Sequence, residues 1–267
     1  MNLELALTNI TSIPVLAFAL GVLASRFKTD LSVSKGAYEA ISFVLLLSIG
    51  LKGGVALGHE DVAAVALPVA LTFVAGVAIP LIAFMLLKFV PALARIDRGA
   101  VAAHYGSTSL VTFSAALVFL DQAEIPYEGV VTTLLVAMEI PGILIGIVLA
   151  TGGVKGLTDR HVLREVFLGK TVLLLLGGLL MGLIAGSTAY EKVKPLFGDL
   201  QSGLLVLFLL TLGIKAGEKL GAFKGLGWRM IAFAILMPLI GGVLGAQFGV
   251  WAGLSVGGAT ALAVLCA

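Results

Sequence analysis

His104-Tyr105-Gly106-Ser107-Thr108-Ser109 interrupts a long apolar run with a glycine and a cluster of hydroxyl side chains. Thr112 and Ser114 follow on the same run. Hydroxyl and main-chain oxygens suit Na+, a hard cation that favours oxygen ligands. A glycine here lets a helix unwind, and a new half-helix starting at Ser107 or Thr108 would present free N–H groups and a positive dipole end. Such an end accepts a small anion. Gly106, Ser107, Thr108 and Ser109 are therefore candidate anion-binding residues. Tyr105, Ser107, Thr112 and Glu139 are candidate Na+ ligands. The competing reading keeps the helix continuous, with its hydroxyls bonded back to their own carbonyls.

Glu139 is the second singular residue. It lies about ten residues into another apolar run and precedes Ile140-Pro141. A carboxylate at membrane depth is costly and marks function by default. Pro141 removes a helix donor and bends the chain there. Glu139 could coordinate a cation, carry a proton, or accept a hydrogen bond from a hydroxyl of the preceding run. Its structural alternative is a capped or protonated acid bracing the bend. His104, one turn before Gly106, reads better as a satisfied packing histidine than as a ligand. The acidic stretches His59–Asp61 and Asp121–Glu128 read as solvated loops. Lys52 and Lys215 are expected to snorkel to membrane interfaces.

The elements that hold these residues are membrane spans. The chain of 267 residues is 60% hydrophobic and 12% charged, with mean hydropathy +1.14. A soluble domain carries about twice that charge. A net charge of +2, spread between apolar runs, gives no nucleic-acid surface. A single cysteine, Cys266, excludes an internal disulfide and a cysteine metal cluster. No phosphate loop, dinucleotide fingerprint, nucleophile elbow or HExxH is present, which argues against an enzyme and against ATP-driven transport. No cofactor is expected, and no metal beyond Na+.

Apolar runs long enough to span lipid lie at about 12–27, 37–57, 62–89, 98–120, 129–151, 166–187, 200–218, 228–249 and from about 252. Residues 47–58 (LSIGLKGGVALG) and 210–221 (LTLGIKAGEKLG) repeat one pattern. Leu47, Gly50, Lys52, Gly54, Leu57 and Gly58 recur 163 positions later. A weaker echo pairs Gly21–Ala24 with Gly182–Ala185. Thirteen basic residues follow the first, third, fifth and seventh runs, against Lys192 and Lys194 on the other side. That bias places the N-terminus outside a multi-pass cytoplasmic (inner) membrane protein. The two lysine blocks then point oppositely, which requires five spans per half. The expectation is an all-α membrane protein built as an inverted five-plus-five repeat with a discontinuous helix in each half. About nine spans are visible, and a matching second half would run about 47 residues past Ala267. The halves are 1–151 and 166–267, joined by a cytoplasmic linker at 152–165. Spans 12–57 and 166–218 form a scaffold, and 62–151 with 228–267 a transport core.

Gly36–Leu57 (GAYEAISFVLLLSIGLKGGVAL), the GSTS run at 106–109, Ile125-Pro126-Tyr127-Glu128 and Glu139-Ile140-Pro141 resemble the cyanobacterial sodium-dependent bicarbonate transporter family. The resemblance implies Na+-coupled bicarbonate symport, a homotrimer, a mobile core with two broken helices, and a PII-like regulatory partner on the cytoplasmic face. It places Gly106, Ser107 and Thr108 at the first crossover, with Na+ as coupling ion. Glu139 stands where that family commonly has an aspartate, and Tyr105 and Ser109 replace small residues. Other readings are a different small anion on the same machinery, a cation/proton antiporter using Glu139, and a ligand-binding membrane sensor.

Overall fold

Helix starts in this chain are set by short polar caps in front of apolar runs. In the computed structural model, which describes residues 10–27, 29–107, 109–154, 157, 159–221 and 227–267, Ser34 accepts from Ala37 N at 3.2 Å, Asp61 from Ala63 N at 3.1 Å, and Ser255 from Gly258 N at 3.2 Å. Each satisfies an N–H that has no intrahelical partner. The helices are α1 (Ile13–Arg26), α2 (Lys35–Leu57), α3 (Val62–Leu87), α4 (Arg95–Gly106), α5 (Leu110–Gln122), α6 (Val131–Thr151), α7 (Arg160–Leu168), α8 (Lys170–Lys194), α9 (Gln201–Lys219), α10 (Gly227–Trp251) and α11 (Val256–Cys266). A π turn, Pro195–Asp199, joins α8 to α9.

Among the described residues, six segments are long and apolar enough to cross a membrane. They are Lys35–Leu57, Ala63–Leu87, Arg95–Gln122, Val131–Thr151, Lys170–Lys219 and Gly227–Trp251. Lys170–Lys219 contains two helices, α8 and α9, and Arg95–Gln122 contains the pair α4 and α5. The nine expected runs are thus all helical among the described residues, yet one falls short of a span. With 14 residues, α1 rises about 21 Å, less than the roughly 30 Å of a hydrocarbon core. α8 extends past its expected end at 187 to Lys194, because the helix resumes after Gly186, whose φ of 69° redirects the chain. α7, an amphipathic helix that packs on α8, begins within the expected linker and runs past its end at 165.

Packing follows the glycines of the repeated pattern. α2 lies along α8 and α1 along α9. A Cβ on Gly54 would collide with the Leu179 carbonyl, and one on Gly50 with the Leu175 carbonyl. On the other pair, a Cβ on Gly213 would collide with the Phe18 carbonyl, and one on Gly217 with Ser25 Oγ. Small residues let helix backbones touch, which is how helices associate where lipid offers no hydrophobic drive. The contacts repeat atom for atom. A Cβ on Gly178 would meet Gly50 Cα, Leu47 O and Leu51 N, and one on Gly21 would meet Gly213 Cα, Leu210 O and Ile214 N. Each second contact lies 163 positions beyond the first. The packing therefore matches Gly21 with Gly178, not with Gly182 as the weaker echo has it. Backbone approach, not local sequence similarity, sets that register.

The remaining helices pack among themselves. α3 contacts α4, α6 and α10, α4 contacts α6, and α10 contacts α11. The main core, with Ile79, Phe113, Leu134, Met138 and Met237 fully buried, lies largely within this group. α2 meets α6, and α9 meets α5, across the boundary between the groups.

Candidate functional site

The fourth apolar run is two helices, not one. α4 stops at Gly106 and α5 starts at Leu110. Ser107 (φ −95°, ψ 118°) and Ser109 (φ −81°, ψ 107°) are extended. Thr108 lies outside the described residues. Ser109 caps the new helix, accepting from Thr112 N at 3.3 Å. The first N–H groups of α5 and the last carbonyls of α4, Tyr105 among them, lack intrahelical partners. A break of this kind at membrane depth is tolerated where it is enclosed by protein or lines a wet cavity.

A ladder of small residues fixes where the break sits. A Cβ on Gly99 would collide with Ala150, one on Gly146 with Ala103, and one on Gly142 with the Gly106 carbonyl. A Cβ on Gly106 would in turn collide with Pro80 Cγ of α3 as well as with Gly142 Cα. Gly106 is thus wedged between α3 and α6, and α4 runs against α6 at backbone distance. That closeness brings Ser107 Oγ within 3.0 Å of Glu139 Oε1, to which it donates. Glu139 is only 5% exposed. A hydroxyl bond to a carboxylate is among the stronger hydrogen bonds, and it ties the break to α6 two residues before Pro141.

The other candidates take different places. Ser109 and Thr112 face outward, and Thr112 Oγ1 donates to Ser109 O at 3.0 Å. The Tyr105 ring packs edge-on against Phe233 of α10, centroids 5.4 Å apart. His104 Nδ1 donates to the Ala100 carbonyl at 2.8 Å, a satisfied histidine as expected. Among the described residues no group of three or more His, Cys, Asp or Glu side chains gathers as a metal centre. At the break itself, the oxygens brought together are Ser107 Oγ and the Glu139 carboxylate.

One sequence expectation needs correction here. The Asp121–Glu128 stretch is not simply a solvated loop. Glu128 Oε1 accepts from Ser255 N, and Ser255 Oγ donates to Pro126 O at 3.3 Å, so Ile125–Glu128 docks on the first turn of α11. Its carboxylate complements the positive end of that helix. No local pattern announces a contact across 127 positions. The two repeat lysines are also unequal. Lys215 Nζ lies 3.4 Å from the Tyr38 ring centroid, and Tyr38 stacks on Phe208. Lys52 lines a cavity between α2, α5, α6 and α9.

No curated protein matches this chain. The model of one protein family, described as the Na+-dependent bicarbonate transporter superfamily, matches residues 14–267. That match spans nearly the whole chain and agrees with an all-helical structure in which, among the described residues, six segments are long and apolar enough to cross a membrane. The chain belongs to the Na+-dependent bicarbonate transporter superfamily, a family of transporters and not of enzymes.

Proposed function

We propose that the protein carries bicarbonate, or a similar small anion, together with Na+ across the cytoplasmic membrane by an elevator-like movement of its core. The observation that carries this reading is the broken helix α4/α5 with Ser107 held on Glu139. Na+ docks among the oxygens of Ser107, Glu139 and the open carbonyls of α4. Its charge offsets the carboxylate, and the anion then settles on the N–H groups at the start of α5. Pairs α1/α9 and α2/α8, with contacts repeating at 163 positions, support two inverted halves and a scaffold separate from the core. In the same reading the N-terminus is outside, the protein is a homotrimer, and a PII-like regulator docks on the cytoplasmic face.

The test is uptake of [14C]bicarbonate by proteoliposomes with and without a Na+ gradient. Wild type accumulates label only with inward Na+. Ser107→Ala and Glu139→Gln lose most of that uptake while still inserting. Sodium-independent uptake, or unchanged coupling in both variants, refutes the assignment. Proton movement driven by Na+ without label uptake would replace it with an antiporter.

A further inference from the structure

A polar cavity opens at the end of the molecule where α2 and α5 finish and α6 and α9 begin. Its volume is about 430 Å³, and its wall includes Lys52 of α2, Ser114 and Asp121 of α5, Tyr127, Thr132 of α6 and Gln201 of α9. Ser114 is 1% exposed and Gln201 8% exposed. Ser114 Oγ and Gln201 Oε1 have no protein partner. Buried polar atoms are rarely left unpaired, so these two are aimed at something the cavity admits. Lys52 is half-buried and, among the described residues, has no carboxylate within 4.0 Å. Asp121 and Asp199 attract its ammonium from farther away, and Lys194 opposes them. Asp121 lies beside Tyr127 in the same wall.

We infer that this cavity is a second binding site, for a small oxyanion carrying both a negative charge and an O–H donor, the class to which bicarbonate belongs. The anionic oxygens face Lys52, and the O–H reaches the open acceptor on Gln201. Ser114 serves in either direction. This inference rests on the transport reading, and it places a transit site on the anion's route. Thr132 precedes Glu139 by seven residues on α6, which is about 10 Å along a helix. Ser114 lies just past the start of α5. The cavity and the helix break are therefore reached along the same two helices. The nearby carboxylates hold affinity down, as a transit site needs: binding must be favourable enough to admit the ion and weak enough to release it.

The chemistry gives opposite signs for two substitutions. [14C]Bicarbonate uptake by proteoliposomes is measured at saturating Na+, as KM and kcat. Lys52→Gln raises KM about ten-fold with kcat little changed, as loss of a charged hydrogen bond does. Lys52→Arg restores KM to near wild type. Asp121→Asn lowers KM about three-fold by removing a partly exposed like charge. A purely structural role would make both neutral substitutions harmful. Unchanged KM in Lys52→Gln and Asp121→Asn, or shifts in one direction, overturns the site while leaving the Ser107–Glu139 reading intact. If wild type takes up no bicarbonate, the transport reading fails first, and [13C]bicarbonate line broadening on nanodisc-embedded protein decides the site. Broadening weakened by Lys52→Gln and retained by Lys52→Arg supports it; equal broadening in all three overturns it.

Discussion

Gly142→Ala should damage both stability and Na+ dependence, because Gly142 is where α6 touches the end of α4. The added Cβ would overlap the Gly106 carbonyl carbon and oxygen and lie 2.7 Å from Gly106 Cα. Comfortable carbon contacts lie at about 3.5–4.0 Å, so the two backbones must part by about 1 Å. The obstructing atoms are main chain and cannot rotate away. Gly106 is also packed closely against Pro80, which limits how far it can shift. Overpacking of this kind costs about 1–3 kcal/mol. The same displacement would stretch the Ser107–Glu139 bond from 3.0 Å to about 4 Å, past hydrogen-bonding range. Loss of a bond to a charged group is worth about 1.5–3 kcal/mol, or roughly 10- to 150-fold in apparent Na+ affinity. The two costs share one cause and do not simply add. Gly177→Ala in α8 is the control, because nothing lies within 4 Å of its Cβ position. It should be neutral, or stabilising by up to about 1 kcal/mol through helix propensity. The assay is thermal unfolding in detergent by tryptophan fluorescence, paired with the Na+ dependence of uptake. Equal behaviour of the two variants refutes the close-contact argument. A lowered melting temperature with wild-type Na+ dependence refutes the coupling to Ser107.

Glu128→Gln should lower the melting temperature by removing about 0.5–2 kcal/mol of charge–helix attraction at α11, with Glu128→Asp recovering less than wild type because its reach to Ser255 is shorter. Burial, with the Asp121 carboxylate beside it, pushes the Tyr127 phenol above its ordinary value. The folded phenol therefore holds its proton more tightly than the unfolded one. Its stabilisation is full below about pH 10 and is lost as pH rises through the raised folded value. Melting curves from pH 8 to 11.5 should show that alkaline loss in wild type and a flatter profile in Tyr127→Phe.

Much of the architecture is written in hydropathy. Apolar runs of span length, separated by short polar loops, leave helices as the available structure in lipid, since each backbone group must be paired within its own segment. The break after Gly106 was also legible, because a hydroxyl-rich stretch with glycine conflicts with continuous packing against hydrocarbon. Glu139 announced itself by its cost. What it touches did not. The Ser107–Glu139 contact needs α4 and α6 to cross at Gly106 and Gly142, and no spacing along the chain encodes a crossing. The repeat around Lys52 and Lys215 was visible in sequence, yet its glycines proved to be helix-crossing points and its lysines to occupy unlike surroundings. Gln201 and Ser114 are ordinary span residues until α2, α5 and α9 enclose them.

Sequence by itself determined that this chain lives in a membrane and that its spans are helical, and it pointed to one interruptible span and to one acid at membrane depth. These are consequences of residue type and local pairing, which act over a few positions. Tertiary structure alone decided which hydroxyl meets that acid, which register joins α1 to α9, and which loop caps α11. Those outcomes depend on how closely two backbones approach, a distance set by opposing small residues on different helices, and so by no single segment.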